Sequence, residues 1–444
     1  MPAKLACISL GCPKNLIDSE IMLGMLNRGM FEITTDIKNA DIIIVNTCAF
    51  IDDAKEEAVD TILGAAALKK YGKLKVLAVT GCLAQRYREG IVSEIPEVDV
   101  VLGTGNIADI QRAIEGCFNK KPEKRFFIDE PRDIGYLENT RMLSGSGSSQ
   151  YLKIAEGCSN HCTYCVIPLL RGPFRSRTAE SIVKEAEYLA GSGAKELILI
   201  AQDVSRYGED LYGESRIVEL IRMLSDINGV KWIRLLYCYP ERITDELIAE
   251  FNRNPKLLKY LDIPIQHASD KILKLMGRKC GKNDLVKLLT KLRKEVPDII
   301  LRTTLITGFP GETEEDFEIL IDFIKKYKFD RLGVFAYSRE EDTPAYTMKN
   351  QVDDIIKSQR RDRILVVQQK ASEAMMKKRI GKAYEVLVEG VADDGVFYYG
   401  RSYAEAPEID PVIYFTSPDP VEAGDFVTVK IASNSGMDLI GYRQ

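Results

Sequence analysis

At 444 residues, 45% hydrophobic and 29% charged, the chain has the composition of a soluble globular protein and is too long for one ordinary domain. Its 61 basic and 66 acidic residues give a net charge of −5, which argues against a main partner that is a large nucleic acid held by charge. No apolar run approaches the ~18 residues of a membrane span, and the amino terminus leads into a strand rather than a signal peptide. Ten cysteines are too few for a disulfide scaffold, so the thiols read as reduced and the protein as cytoplasmic.

Residues 1–120 alternate strand and helix signals, the pattern of an α/β domain with a parallel sheet. Leu5–Leu10, Asp41–Thr47, Val76–Thr80 and Val98–Leu102 are short β-branched runs suited to strands buried on both faces. Asn15–Arg28, Asp52–Lys70 and Ile107–Phe118 have helical spacing. Cys12, Cys48 and Cys82 each lie just past a strand end. Ligands gather at the carboxyl edge of such sheets, so one edge can bring these three thiols together. Gly103-x-Gly105-x-x-Ala108 copies a dinucleotide fingerprint but opens the last helix of its domain, and reads as a tight turn.

Residues 121–149 read as a linker, with a boundary at Lys120-Lys121-Pro122 and a flexible run from Ser144 to Ser149. From 150 to 379 the alternation resumes with six strand candidates: Tyr151–Glu156, Glu196–Ala201, Lys231–Tyr237, Leu261–Gln266, Ile299–Ile306 and Asp330–Ala336. Six βα repeats are two short of a closed eight-fold barrel, so a partial (βα)6 barrel is expected. A long helix near Asp353–Arg379 leads to residues 380–444, whose short runs broken by Gly and Pro suit a small β-barrel or sandwich. From Ala383 onward there are three basic residues against eleven acidic, a net −8.

The first loop of the barrel carries Cys158, Cys162 and Cys165 as Cys-x3-Cys-x2-Cys. Zinc would need a fourth soft ligand to close its tetrahedron. No second Cys-x2-Cys lies nearby, and His161 as that ligand would strain so short a loop. An iron–sulfur cluster on three thiolates leaves one iron open for something other than protein. The spacing favours the cluster and leaves zinc as the alternative. Cys7, Cys117, Cys238 and Cys280 fall into no set.

This motif, with Tyr164 before its last cysteine and in the first loop of a six-fold βα barrel, resembles the radical S-adenosylmethionine superfamily. There the open iron chelates the cofactor, whose reductive cleavage gives a 5′-deoxyadenosyl radical. The whole order of segments is similar to the methylthiotransferases, whose small last domain is of the TRAM type. That resemblance implies two 4Fe–4S clusters, on Cys12, Cys48, Cys82 and on Cys158, Cys162, Cys165, with S-adenosylmethionine and an electron donor. Within the family, Ser9-Leu10-Gly11-Cys12-Pro13-Lys14-Asn15 with Asp18-Ser19-Glu20, and Gly400-Arg401-Ser402 with Ala406-Pro407-Glu408-Ile409-Asp410, look like the RimO type. That type modifies the β-carbon of an aspartate in ribosomal protein S-twelve. The acidic last domain agrees, because it repels RNA and attracts a basic protein. The alternatives are a tRNA-adenosine methylthiotransferase of the MiaB type and a zinc-stabilised, non-catalytic ribosome- or RNA-binding protein.

Further site residues follow from the resemblance. Tyr164, Gln202, Asp203, Arg302 and Gly308, the last in Thr307-Gly308-Phe309-Pro310-Gly311-Glu312, are expected at the cofactor. Arg171 and His267 are the candidates for a catalytic role, with Arg171 able to offset cluster charge or meet an acidic substrate.

Overall fold

The computed structural model describes residues 2–27, 31–119, 125–145 and 147–444. Arg28 at the end of the first expected helix, the Lys120–Pro122 boundary and Ser146 lie outside the described residues. Six strands form the first sheet: β1 (Ala3–Ser9), β2 (Phe31–Ile33), β3 (Ile42–Thr47), β4 (Val76–Gly81), β5 (Val100–Leu102) and β6 (Phe126–Phe127). All pairs are parallel, in the order β2-β1-β3-β4-β5-β6. Successive residues of β3 feed opposite cores, Ile42 and Ile44 packing with Ile17 and Met22, Ile43 and Val45 with Ala58 and Ile62. Helices on both faces explain why these strands read as continuous apolar runs.

The second sheet begins with β7 (Ser149–Lys153), followed by a small antiparallel ribbon of β8 (Ala155–Glu156) and β9 (Arg175–Ser176). It continues with β10 (Glu196–Ile200), β11 (Trp232–Leu235), β12 (Leu257–Asp262), β13 (Ile300–Thr307) and β14 (Arg331–Ala336). The order β14-β13-β12-β11-β10-β7 is parallel throughout and open between its two ends, a partial barrel. The fourth strand is Leu257–Asp262 rather than Leu261–Gln266. Pro264 has no amide for the ladder, and Gln266, at a left-handed φ of 70°, keeps one bridge to Leu305.

Helix Asp354–Arg379 leads to a closed five-stranded barrel of β15 (Ala383–Val391), β16 (Tyr398–Arg401), β17 (Ile413–Thr416), β18 (Phe426–Ser435) and β19 (Asp438–Arg443), ordered β15-β16-β17-β19-β18. Among the described residues no helix is long and apolar enough to cross a membrane.

Two expectations need correction. Residues 125–145 are not a loose tether. Phe126–Phe127 completes the first sheet, Arg141 is buried between Glu20 and Glu185, and the Ser144 amide and hydroxyl both donate to Glu20. The acidity of the last domain is also partly internal. Glu385 pairs with Lys231, Glu389 with Arg401, Glu405 with Arg331 and Arg379, and Asp410 with Arg331.

Those pairs show where the last domain docks. The segment from Arg401 to Asp410 plugs the amino end of the partial barrel. Arg401 and Arg234 both bind the fully buried Glu196 at 2.7 Å, Tyr260 donates to Asp410 at 2.7 Å, and Trp232 meets Phe426 edge-on at 4.9 Å.

Burial alone would raise the Glu196 carboxyl, but Arg401 and Arg234 override it and hold the pKa from an ordinary 4.5 down to about 2. A carboxyl depressed on folding stabilises fully above its unfolded pKa and loses that contribution as pH falls through the folded value. Fluorescence of Trp232, the sole tryptophan, is therefore expected to report undocking of the last domain as pH falls from 4.5 towards 2. At neutral pH, Glu196→Ala strands two buried guanidinium groups and is expected to cost about 3–5 kcal/mol. An unchanged denaturation midpoint by tryptophan fluorescence would contradict this.

Candidate cluster-binding site

Cys12, Cys48 and Cys82 emerge at the carboxyl edge of the first sheet, after β1, β3 and β4. Cys12 caps the helix Pro13–Leu26, whose first turn tolerates Pro13 because that amide has no helical partner. Gly11 stands at φ 85°, and a Cβ there would lie 2.7 Å from the Cβ of Cys48, so only glycine lets the two loops meet. Asn15 donates to the carbonyls of Leu10 at 3.0 Å and Thr47 at 2.8 Å, and the Thr47 hydroxyl donates to the Thr80 carbonyl at 2.6 Å. These bonds tie the three cysteine loops together.

Their charges are unequal. Burial pushes the Cys48 thiol up to about 12, and raises Cys82 against the pull of Arg171. Burial also acts to raise Cys12, but Lys14, Arg171 and the amides of Asn15 and Lys14 outweigh it and leave that thiol below its ordinary value.

The second triad occupies the loop between β8 and β9. Its backbone is pinned on several sides: Thr163 donates to the carbonyls of Met276 and Leu275, Ala345 donates to Thr163, and the Cys158 amide donates to Gly172. Asn160 donates to Asp203 at 2.9 Å. Tyr164 meets Phe309 edge-on at 6.4 Å, so the turn after β13 supports this loop from behind. Cys162 has two neighbours that sequence reasoning missed. Arg278 Nη1 stands 3.9 Å and the Tyr239 hydroxyl 3.8 Å from its sulfur, with the guanidinium stacked 4.4 Å over the Tyr239 ring. A cation three barrel loops away carries no linear signal. His161 is exposed, at φ 52°. Among the described residues no three His, Cys, Asp or Glu side chains converge closely enough to share one ion.

Between the triads lies a buried quartet of charges. Lys153 binds Asp18 and Glu156 at 2.5 Å each, and Arg171 binds the same two acids at 2.8 Å each. The Tyr136 hydroxyl donates within 3.1 Å of both acids, and Arg171 also reaches Asn15. Against the effect of burial, Arg171 and Lys153 hold the Glu156 carboxyl far below its usual range. Glu156 in turn accepts from Gln202 Nε2 at 2.7 Å.

The other expected residues divide. Gln202 stands at the carboxyl end of β10 with Oε1 buried and unpartnered, as are Asn160 Oδ1 and Gln266 Oε1. Such acceptors at the barrel mouth fit a polar cofactor with donors to offer. Asp203 is fully buried with its oxygens taken by Asn160, Ser205 and Arg242, so it supports the cysteine loop rather than facing a cofactor. Gly308 is used in a turn: its amide donates to Glu312, and a Cβ would strike Lys357 at 2.2 Å. His267 is fully buried, its Nδ1 accepting from Ser269 and its Nε2 lying 3.4 Å from Glu312, a packing role. Arg302 sits nearer the amino end of β13, bound to Asp262 at 3.0 Å.

Residues 4–103 match the uncharacterized protein family UPF0004, residues 152–324 the radical SAM superfamily, and residues 380–443 the TRAM domain. The ribosomal protein uS12 methylthiotransferase RimO of Acetivibrio thermocellus is 55% identical over 99% of this chain and 98% of its own. The chain belongs to the RimO family. The RimO of Clostridioides difficile is 51% identical over the same shares. Family membership makes the protein a radical S-adenosylmethionine methylthiotransferase, which uses that cofactor and iron–sulfur clusters. Among solved structures, the radical methyltransferase TsrM of Kitasatospora setae, with cobalamin and a [4Fe-4S] cluster bound, aligns at a TM-score of 0.57. It shares 14% identity over 78% of this chain and 77% of that one. The cobalamin-dependent radical enzyme OxsB aligns at 0.51, with 12% identity over 84% and 56%. These two show the fold alone.

Asp203→Ala is expected to weaken retention of iron by the second triad about 10- to 100-fold against a chelator, as loss of an outer-shell partner does. Asp203→Asn, whose amide oxygen still accepts from Asn160 while its nitrogen donates to the Ser205 hydroxyl, is expected to retain most of it. Equal iron loss in both variants would contradict the tether.

Proposed function

We propose that the protein adds a methylthio group to the β-carbon of an aspartate in ribosomal protein uS12, in the cytoplasm. In this reading Cys158, Cys162 and Cys165 hold one 4Fe–4S cluster and Cys12, Cys48 and Cys82 a second, and a separate electron donor feeds them. The observation that carries it is the pair of three-thiol sites built against one buried charge quartet, in a chain 55% identical to a uS12 methylthiotransferase over its length. When bound, S-adenosylmethionine and the clusters supply one-electron chemistry that removes hydrogen from an unactivated carbon, together with the sulfur and methyl to replace it.

The chain's own residues prepare that chemistry. Three thiolates per site leave one iron of each cluster without a protein ligand. Asn160, Gln202 and Gln266 offer buried acceptors at the mouth, fixing a polar cofactor beside Cys158–Cys165. Arg171 and Arg278 place positive charge beside Cys82 and Cys162, where it would offset the negative charge of a thiolate-held cluster. The first domain lies against the mouth, where Lys14 packs on Tyr237. Lys55 and Arg86 clamp it to Glu340, at 3.0 and 2.6 Å, in the loop after β14.

Anaerobically purified protein is expected to carry about eight irons, and Cys48→Ala or Cys162→Ala about four. uS12 from cells with the gene should be heavier by one methylthio group in place of hydrogen. It should revert to the unmodified mass in cells carrying either variant. Modified tRNA with unmodified uS12, or modification surviving either substitution, would overturn the reading.

A further inference from the structure

Buried cations in this protein come with acids. Among the described residues, every buried lysine or arginine except Lys14 and Arg278 has a carboxylate within ion-pair distance. Arg278 is spent on Cys162, the Pro264 carbonyl and the Tyr239 ring. Lys14 is different. It is 93% buried, being 7% exposed, and its ammonium lies 3.4 Å from the centre of the Tyr237 ring. The stem is buried while the ammonium rests on an aromatic face with no carboxylate in ion-pair reach, so it is held in place and available to an incoming anion.

The position of Lys14 says what is missing. Its backbone leaves the first triad two residues after Cys12, and its side chain crosses to the barrel. Tyr237 follows the carboxyl end of β11 at a left-handed φ of 61°, an unusual conformation for an aromatic residue. That backbone is held by its amide on Asp262 at 3.0 Å and its carbonyl, which accepts from Val204 at 3.0 Å. The same Asp262 takes Arg302, a second, partly exposed cation on the inner face of the barrel. Asp262 is therefore already taken by Arg302 and the Tyr237 amide, and Lys14 is left without a carboxylate between the first triad and the barrel.

We propose that Lys14 is a specificity residue that receives the carboxylate of the substrate aspartate, with the Tyr237 ring holding the ammonium in place. This rests on the aspartate substrate of the reading above and adds the group that recognises it. The side-chain carboxylate closes the ion pair that the fold leaves open. The adjacent β-carbon is then presented between the two cluster sites. An amide or an adenine base leaves the ammonium uncompensated, so the site rejects them.

The test uses holoenzyme and two ligands: purified uS12, and uS12 with asparagine in place of the target aspartate. Wild type is expected to bind the aspartate form roughly 10- to 100-fold more tightly, the range for a hydrogen bond to a charged group. Lys14→Met should remove that preference by weakening the aspartate form alone, and Lys14→Arg should keep most of it. Iron content should not move in either variant, and Lys14→Arg should leave the midpoint potential of the first cluster unchanged. If Lys14→Met still prefers aspartate, the proposal is wrong. It is equally wrong if the preference vanishes together with iron, because Lys14 then serves to hold the first cluster. Failure of the wild-type holoenzyme to modify uS12 at all removes the functional reading and this one with it. Modification by wild type with the preference intact in Lys14→Met removes this one only.

Discussion

The buried quartet of Asp18, Lys153, Glu156 and Arg171 is the interaction on which the rest of the structure depends. It holds two positive and two negative groups away from water, so it is neutral as a set and costly to open at any member. Its members lie close to both thiol sites along the chain. Asp18 is on the helix that Cys12 caps, Glu156 and Arg171 flank the second cysteine loop, and Lys153 ends β7. Apolar packing between the first sheet and the barrel tolerates sliding, since apolar contact is not directional. Four charges with bonds of 2.5 to 2.8 Å do not. The relative placement of the triads is thereby set by electrostatics rather than by shape.

Each triad has one arginine near one thiol, Arg171 at Cys82 and Arg278 at Cys162. Hydrogen bonds to cluster sulfurs and local net charge are among the main determinants of cluster potential. The surroundings differ otherwise. The first triad has Lys14 as well and one thiol held low, whereas burial keeps Cys158 and Cys165 high. Two sites of three thiols each are thus given unlike electrostatic settings.

Much of this was legible in the sequence because it rests on local chemistry. Runs such as residues 42–45 and 197–200 are apolar because both faces are covered, and the loop after the first carries Cys48. What escaped has physical causes. β2 and β6 are three and two residues long, too short to show a period, and are made by their neighbours. The fourth barrel strand ended early because Pro264 breaks a run that looks apolar. Arg278, Lys14 and the quartet are meaningful only through partners far away in sequence. The acidic count of the last domain misled because a tally of charges does not see which are already paired inside.

The docking of that last domain limits how the chain can be divided. Its plug, from Arg401 to Asp410, pairs with Glu196 on β10, Arg331 on β14 and Arg379 on the long helix; among the described residues the two arginines have no other carboxylate partner, and Glu196 otherwise keeps only Arg234 as an ion-pair partner. A five-stranded barrel of this kind looks like a portable module, free to be exchanged between relatives so as to redirect an enzyme to a new macromolecule. Here the graft would have to carry complementary charges for Glu196, Arg331 and Arg379, or leave them bare. Exchange of the terminal domain alone is therefore a change to the catalytic barrel as well, and the two have to evolve as one unit.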